Sequence, residues 1–494
     1  MKKLAIISTI ILGLAATSCN SYLDINESPN SPKESDLNAS ILFPAAEMNL
    51  ASSYGDFLRI TGGYYAQYYV QSFGTSNYLD YSRFEMSATR SSSTYTQLTS
   101  RTQKNLQLVR DIAAKNENWG DYLAATVLRA FTYQTLVDCY GEVPYTEALD
   151  ATNPTPHYDD GKTIYTGILS ELDEALSLAK ASDPVCTNLL FPGQTADPWI
   201  KFANALKLKI YSRMGGSDAQ IGAIIEEGNL PTSDIAFKGC WTSDAGHISP
   251  FYAEEFATNW GSTQINVVAN VAIIGTMQQS AYTDPRLKAF FSPNSDGQYV
   301  GGISGTNFST SKAYKSTYWC RPVASFDMPV YLITMAEIEF FMAEYYARTG
   351  KADMAEAYYE YAVEASFESA GVAGAEGFIA QWPYDQSNYK KSIGIAKWIA
   401  MAGVNPFEGY CELRRLKYPA FGEVKGSDMY NETDDSSYQP DKYKAGTLYT
   451  PIKVFGPVGD DQLLQRWPYP ESSSARNTNA PAFPGYTTPI FWAQ

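Results

Sequence analysis

Residues 335–370 read MAEIEFFMAEYYARTGKADMAEAYYEYAVEASFESA. Apolar and alanine positions recur every three or four residues, the period of a helix with one buried face. Thr349-Gly350 interrupts that period, and glycine is the residue best suited to end a helix in a left-handed turn. The stretch therefore predicts two helices, Met335 to Arg348 and Lys351 to Ala370. Ala355, Tyr358, Tyr359 and Ala362 of the second face back on the first, and the small residues among them let the two helices approach closely.

This is the pattern of a tetratricopeptide repeat, and further helices lie to either side. Residues 388–403 and 406–417 predict a second pair. Upstream, Tyr122 to Tyr140 carries Leu123, Val127, Leu128, Phe131 and Val137 at helical spacing, and Gly141 and Pro144 stop it. Thr163 to Lys180 repeats the pattern with Ile164, Ile168, Leu172 and Leu176. In Asp197-Pro198-Trp199 the aspartate reads as the N-cap and the proline as the first helical residue of a helix running to Met214. The fold class is mainly α, with helical repeat segments at about 100–230 and 332–418. Residues 240–330 and 421–494 are different: Gly, Ser, Asn and Pro are frequent, with Tyr and Trp between them. Long ordered loops are uncommon unless they carry function.

The chain opens with Lys2-Lys3, an apolar run from Leu4 to Ala16, and Thr17-Ser18-Cys19. That is the layout of a secretory signal, too short to span a bilayer. Residues 1–18 are read as a lipoprotein signal peptide, Cys19 as the lipidated residue, and 19–494 as one domain. The alternative is an ordinary signal peptide with a chance cysteine. Asn20 is not a retention residue of the aspartate type, so the outer membrane is the expected destination, with the protein anchored by lipid and facing the exterior.

The full chain carries 37 basic and 53 acidic residues, a net charge of −16. Losing Lys2 and Lys3 with the signal takes this to −18, a surface that repels nucleic acid and anionic lipid. The cysteines beyond Cys19 number five, widely spaced and without a CxxC, which argues against a zinc site. The 37 Tyr, 23 Phe and 9 Trp form an unusual aromatic load. Most fill helix interfaces, and a few are expected to meet ligand.

Catalytic signals are missing. No HExxH, GxSxG, GxGxxG or P-loop pattern occurs. His157 and His247 both sit in turns, and the acidic pairs are sequence neighbours rather than carboxylates held across a bond. The stretch Asn294-Ser-Asp-Gly297 has part of a calcium loop but reads better as a turn. Arg414, Arg415 and Lys417 stand at a helix C-terminus, where they complement its dipole. No cofactor is expected, and the chain is read as a binding protein, not an enzyme.

Several stretches in order along the chain resemble the SusD/RagB family of surface lipoproteins. They include YLDINESPNSP after Cys19, RAFTYQTLVDCYGEVPYTEAL, DPWIKFANALKLKIYSRM, TDPRLKAFF, MPVYLITMAEIEFFMAEYYARTG and GYCELRRLKYPAFG. RWPYPESSSARN adds Arg466, Tyr469, Pro470, Glu471 and Asn477, with Trp467 where a second Arg is common. The resemblance implies tetratricopeptide-like helix pairs with a loop-rich half packed on them. It also implies a SusC-like TonB-dependent transporter as partner, and an oligosaccharide, or in the RagB branch a peptide, as ligand.

The motifs do not mark a binding site. Sugar recognition needs flat aromatic faces and planar amides or guanidinium groups. Loop residues of that kind form three candidate sets: Asn77, Tyr78, Tyr81 and Arg83, after a Tyr-rich helix bearing Tyr64, Tyr65, Tyr68 and Tyr69; Asn259 and Trp260; and Tyr318, Trp319 and Arg321.

Overall fold

A computed structural model describes residues 38–72, 74–257, 265–306, 318–431, 434–460 and 462–494. The principal helices are α1 (Ala39–Ser53), α2 (Arg59–Tyr65), α3 (Lys104–Lys115), α4 (Trp119–Tyr140), α5 (Gly161–Leu178), α6 (Asp197–Met214), α7 (Asp218–Glu227), α8 (Met335–Arg348), α9 (Ala352–Ser369), α10 (Tyr389–Met401) and α11 (Pro406–Leu416). They pack as consecutive pairs: α3 on α4, α4 on α5, α8 on α9 and α10 on α11. Contacts of α8 with α6 join the two helical blocks, and contacts of α8 with α10 join the two pairs of the second.

The ends follow from local chemistry. Gly141 stops α4 at φ 85°, and Gly350 turns the chain between α8 and α9 at φ 75°. Thr334 caps α8 by accepting the Glu337 N–H, and Asp160 caps α5 through the N–H groups of Lys162 and Thr163. The α6 start differs from the sequence reading by one residue. Ala196 is the N-cap, and Asp197 lies in the first turn, paired with Lys201 at 2.7 Å.

The strands are short: β1 (Tyr69–Gln71), β2 (Ile235–Phe237), β3 (Val267–Ala269), β4 (Phe291–Ser292), β5 (Arg321–Pro322), β6 (Val330–Ile333), β7 (Ala420–Lys425) and β8 (Thr447–Thr450). They form four two-stranded pairs, β1–β3, β2–β6, β4–β5 and β7–β8. Such ribbons are marginal alone. Here they pin the loop-rich segments to the helices. The expected Tyr-rich helix stops early: α2 ends at Tyr65, Gln67 takes a left-handed φ of 55°, and Tyr69 opens β1. All four tyrosines are buried.

Where α6, α8, α10 and α11 meet, the core is ionic. Lys209 lies 2.9 Å from Glu337 and 2.7 Å from Glu408, with all three side chains at most 1% exposed. Arg213 pairs with Asp138, Glu408 and Glu412, and Lys397 with Glu412. Arg415 reaches Glu344 at 2.6 Å and Glu412 at 2.7 Å. The basic cluster at the end of α11 thus serves the interior. Arg414 donates to the Asp138 and Gln465 carbonyls, and Lys417 to that of Ala493, which ties the C-terminal segment down. Cys139, Cys186, Cys240, Cys320 and Cys411 are all free thiols.

Candidate functional site

The first candidate set is organised by Gln71, the last residue of β1. Its Oε1 accepts the Tyr78 N–H at 2.6 Å and its Nε2 donates to Thr75 Oγ1. Tyr78 then stacks on Tyr81, with centroids 5.5 Å apart and planes at 10°. Tyr64, Tyr65 and Phe57 close edge-on around Tyr81, and Arg90 lies over its ring. Tyr78 is 7% exposed and Tyr81 2%, so both rings are packed inside this cluster. Asn77 offers its carbonyl to Arg90. Arg83 is half-buried, and its carbonyl accepts the Phe455 N–H.

Glu255 connects this set to the third. The Tyr78 hydroxyl donates to Glu255 Oε1 at 2.6 Å, and Arg321 Nη2 approaches the Glu255 carbonyl at 3.4 Å. Glu255 lies in a π-helical turn, Ala253–Ala257, a rare conformation found often at functional sites. The neighbouring Phe256 carries the Arg321 guanidinium 4.3 Å above its ring and stacks on Tyr252. Trp319 is 1% exposed, and Tyr318 meets it edge-on at 4.8 Å. Asn259 and Trp260 lie outside the described residues, as does Cys19.

A cavity of about 480 Å³ opens beside Arg321. Phe256, Ile265 and Trp319 line it, with the segments 292–295 and 321–324 that the β4–β5 pair holds together. Val323 and Phe326, both on the chain just after β5, are each 41% exposed, which is high for large apolar side chains. The 294–297 stretch is a turn in which Asn294 Oδ1 accepts the N–H groups of Asp296 and Gln298. Its Nδ2 donates to the Tyr318 carbonyl at 3.0 Å, tying one wall to the other. Phe256, absent from the sequence candidates, lines this cavity together with Trp319. The only signal for it was its place four residues before Trp260.

A second cavity, about 400 Å³, is lined by Ala253, Glu254 and Ala257 of the same turn, with Asp56 and Trp241. Burial raises the Asp56 carboxyl to about 8, and Glu254 and Glu255 push it the same way. Burial likewise lifts Glu255 to about 7, while its bond from Tyr78 opposes the rise. Folded-state values above the unfolded ones mean that the folded chain holds protons the unfolded chain has released. Stability from these groups is therefore present in acid and lost as pH rises through 7 to 8. For Glu255 the loss between pH 5 and 8 is about 2 kcal/mol. Chemical denaturation across that range checks it: Glu255→Gln is expected to flatten the decline, and an unchanged slope would contradict the assignment.

Among the described residues, no group of three or more His, Cys, Asp or Glu is placed to hold a metal ion, and no helix is long and apolar enough to cross a membrane. His157 is 69% exposed and bonded to Glu147, and His247 is exposed, so neither faces the cavity.

Comparison with known families matches residues 29–441 to the SusD-like family described as "Starch-binding associating with outer membrane". The chain belongs to the SusD-like family. A search of curated proteins finds no match. Solved structures share the fold at low identity. A SusD homologue from Bacteroides uniformis is 21% identical, with a TM-score of 0.70 over 92% of this chain and 99% of that one. A structure titled as a chitin-binding protein is 18% identical, with a TM-score of 0.70 over 92% and 100%. A SusD/RagB family protein from Bacteroides thetaiotaomicron is 20% identical, with a TM-score of 0.68 over 92% and 99%. In this SusD-like chain the motif RWPYPESSSARN is a buttress. The Arg466 guanidinium binds the Thr488 and Pro489 carbonyls, the Trp467 backbone N–H donates to the Cys139 carbonyl, and the Asn477 side-chain amide donates to that of Pro156.

Proposed function

We propose that this protein is a surface nutrient-binding lipoprotein, anchored through Cys19 at the outer membrane and facing the exterior. It captures an oligosaccharide and delivers it to a SusC-like TonB-dependent transporter, binding without cleavage. The observation that carries the reading is the 480 Å³ cavity in the loop-rich half, where the exposed Val323 and the neighbouring Ile265 supply an apolar wall and Arg321, held over the Phe256 ring, a planar donor. The family description and the chitin-binding relative support a glycan.

Calorimetric titration of residues 20–494 with plant, host and microbial glycans, and with peptides, tests it. Saturable glycan binding with no cleavage products is expected, weakened about tenfold by Phe256→Ala, which removes the ring that holds the Arg321 guanidinium in place. Binding confined to peptides would replace this reading with that of a RagB-like peptide importer. Cleaved product would overturn the non-catalytic assignment.

A further inference from the structure

The charge around the Phe256 cavity runs against the rest of the molecule. The chain is strongly acidic, yet Arg321 is the charged side chain among the described residues that line this cavity. Its Nε is buried without a hydrogen-bond partner among the described residues, and Nη2 has only the 3.4 Å contact to a carbonyl. The facing acid is Glu255, which forms no ion pair with it within 4 Å and gives one oxygen to Tyr78. The Phe256 ring beneath it and the charge of Glu255 offset part of the lost hydration, but most of its hydrogen-bonding capacity is unused. Two acids adjoin the lining residues in sequence, Glu255 before Phe256 and Asp296 after Ser295, and neither lines the cavity or pairs with Arg321. Asp56 and Glu254 line the other cavity, across the 253–257 turn.

We propose that the Phe256–Arg321 cavity selects an acidic sugar, one whose carboxylate or sulfate meets the Arg321 guanidinium while its ring lies against the apolar wall. The inference rests on the glycan-binding reading and names the ligand class within it. Arginine suits the task because its planar fork matches a carboxylate or sulfate with two parallel bonds. The acidic lining of the neighbouring cavity confines the ligand's charged group to the Arg321 side.

The test is calorimetric titration with matched pairs: oligogalacturonate against its methyl ester, sialylated against desialylated lactose, and sulfated against unsulfated chondroitin disaccharide. At least one acidic member is expected to bind roughly 30-fold more tightly than its neutral partner. That preference is expected to vanish in Arg321→Gln, to survive in part in Arg321→Lys, and to shrink with added salt. Circular dichroism and thermal melting of both variants confirm the fold. If neutral glycans bind as well as every acidic partner, or the preference survives Arg321→Gln, the inference is overturned while glycan binding stands. Binding of no glycan overturns both, as does selective binding of acidic peptides.

Discussion

Arg213→Ala is expected to lower stability by about 3–5 kcal/mol in chemical denaturation, the range for removing one partner from a buried ion pair. Arg213 is fully buried on α6. Its Nη1 sits 2.5 Å from Asp138, Nη2 bonds to Glu408, and Nε lies 3.4 Å from Glu412. Asp138 also accepts from the Tyr165 hydroxyl at 2.7 Å and the Trp492 indole at 3.0 Å. Removing the guanidinium would leave several carboxylates in a site without water, because Lys209 is already shared between Glu337 and Glu408. Glu337 shows how finely balanced the network is: burial, helped by Glu408, raises its carboxyl to about 7 even beside Lys209. Arg213→Met, which restores most of the volume, is expected to recover little, since the deficit is charge. A loss under about 1 kcal/mol in either variant would mean that the network relaxes or admits water.

Gly62→Ala is expected to cost about 3 kcal/mol, at the upper end for an overpacked core. Gly62 lies where α2 crosses the start of α11. A Cβ there would stand 2.4 Å from Phe407 Cα, 2.6 Å from its N and 2.8 Å from the Pro406 carbonyl oxygen. These are backbone atoms, so no rotamer change relieves the clash and the helices must separate. Gly456→Ala is the control. Its added methyl meets nothing within 4 Å, so it is expected to be neutral or slightly stabilising. Equal stability of the two variants would contradict the close approach.

The helical half was legible because its signals are local. The 335–370 pattern gives Met335–Arg348 to the residue and Ala352–Ser369 to within one, since a glycine separates two strongly periodic runs. Gly141 marks the end of α4 in the same way. The tyrosines at 64–69 misled because their spacing fits a helix, whereas the left-handed turn at Gln67 is set by tertiary bonds, its side chain donating to and accepting from the Tyr449 backbone. The ionic core was not legible either. Its partners lie up to 199 positions apart, as with Arg213 and Glu412, and acidic and basic residues on helices look solvated in sequence. At the site, two of the candidate residues, Tyr78 and Arg321, converge on Glu255, and Trp319 lines the cavity beside Arg321, while Phe256 was passed over. Loop composition indicates which segments carry aromatics. Which ring faces the cavity depends on a π-helical turn that has no simple period.

The most direct test of the account is the crystal structure of residues 20–494 with the tightest glycan found by titration. The expected result is a sugar ring in the Phe256–Trp319 cavity, against Val323 and Ile265, with a polar group of the ligand within hydrogen-bond distance of the Arg321 guanidinium. A glycan bound elsewhere, with that cavity occupied only by water, would contradict it.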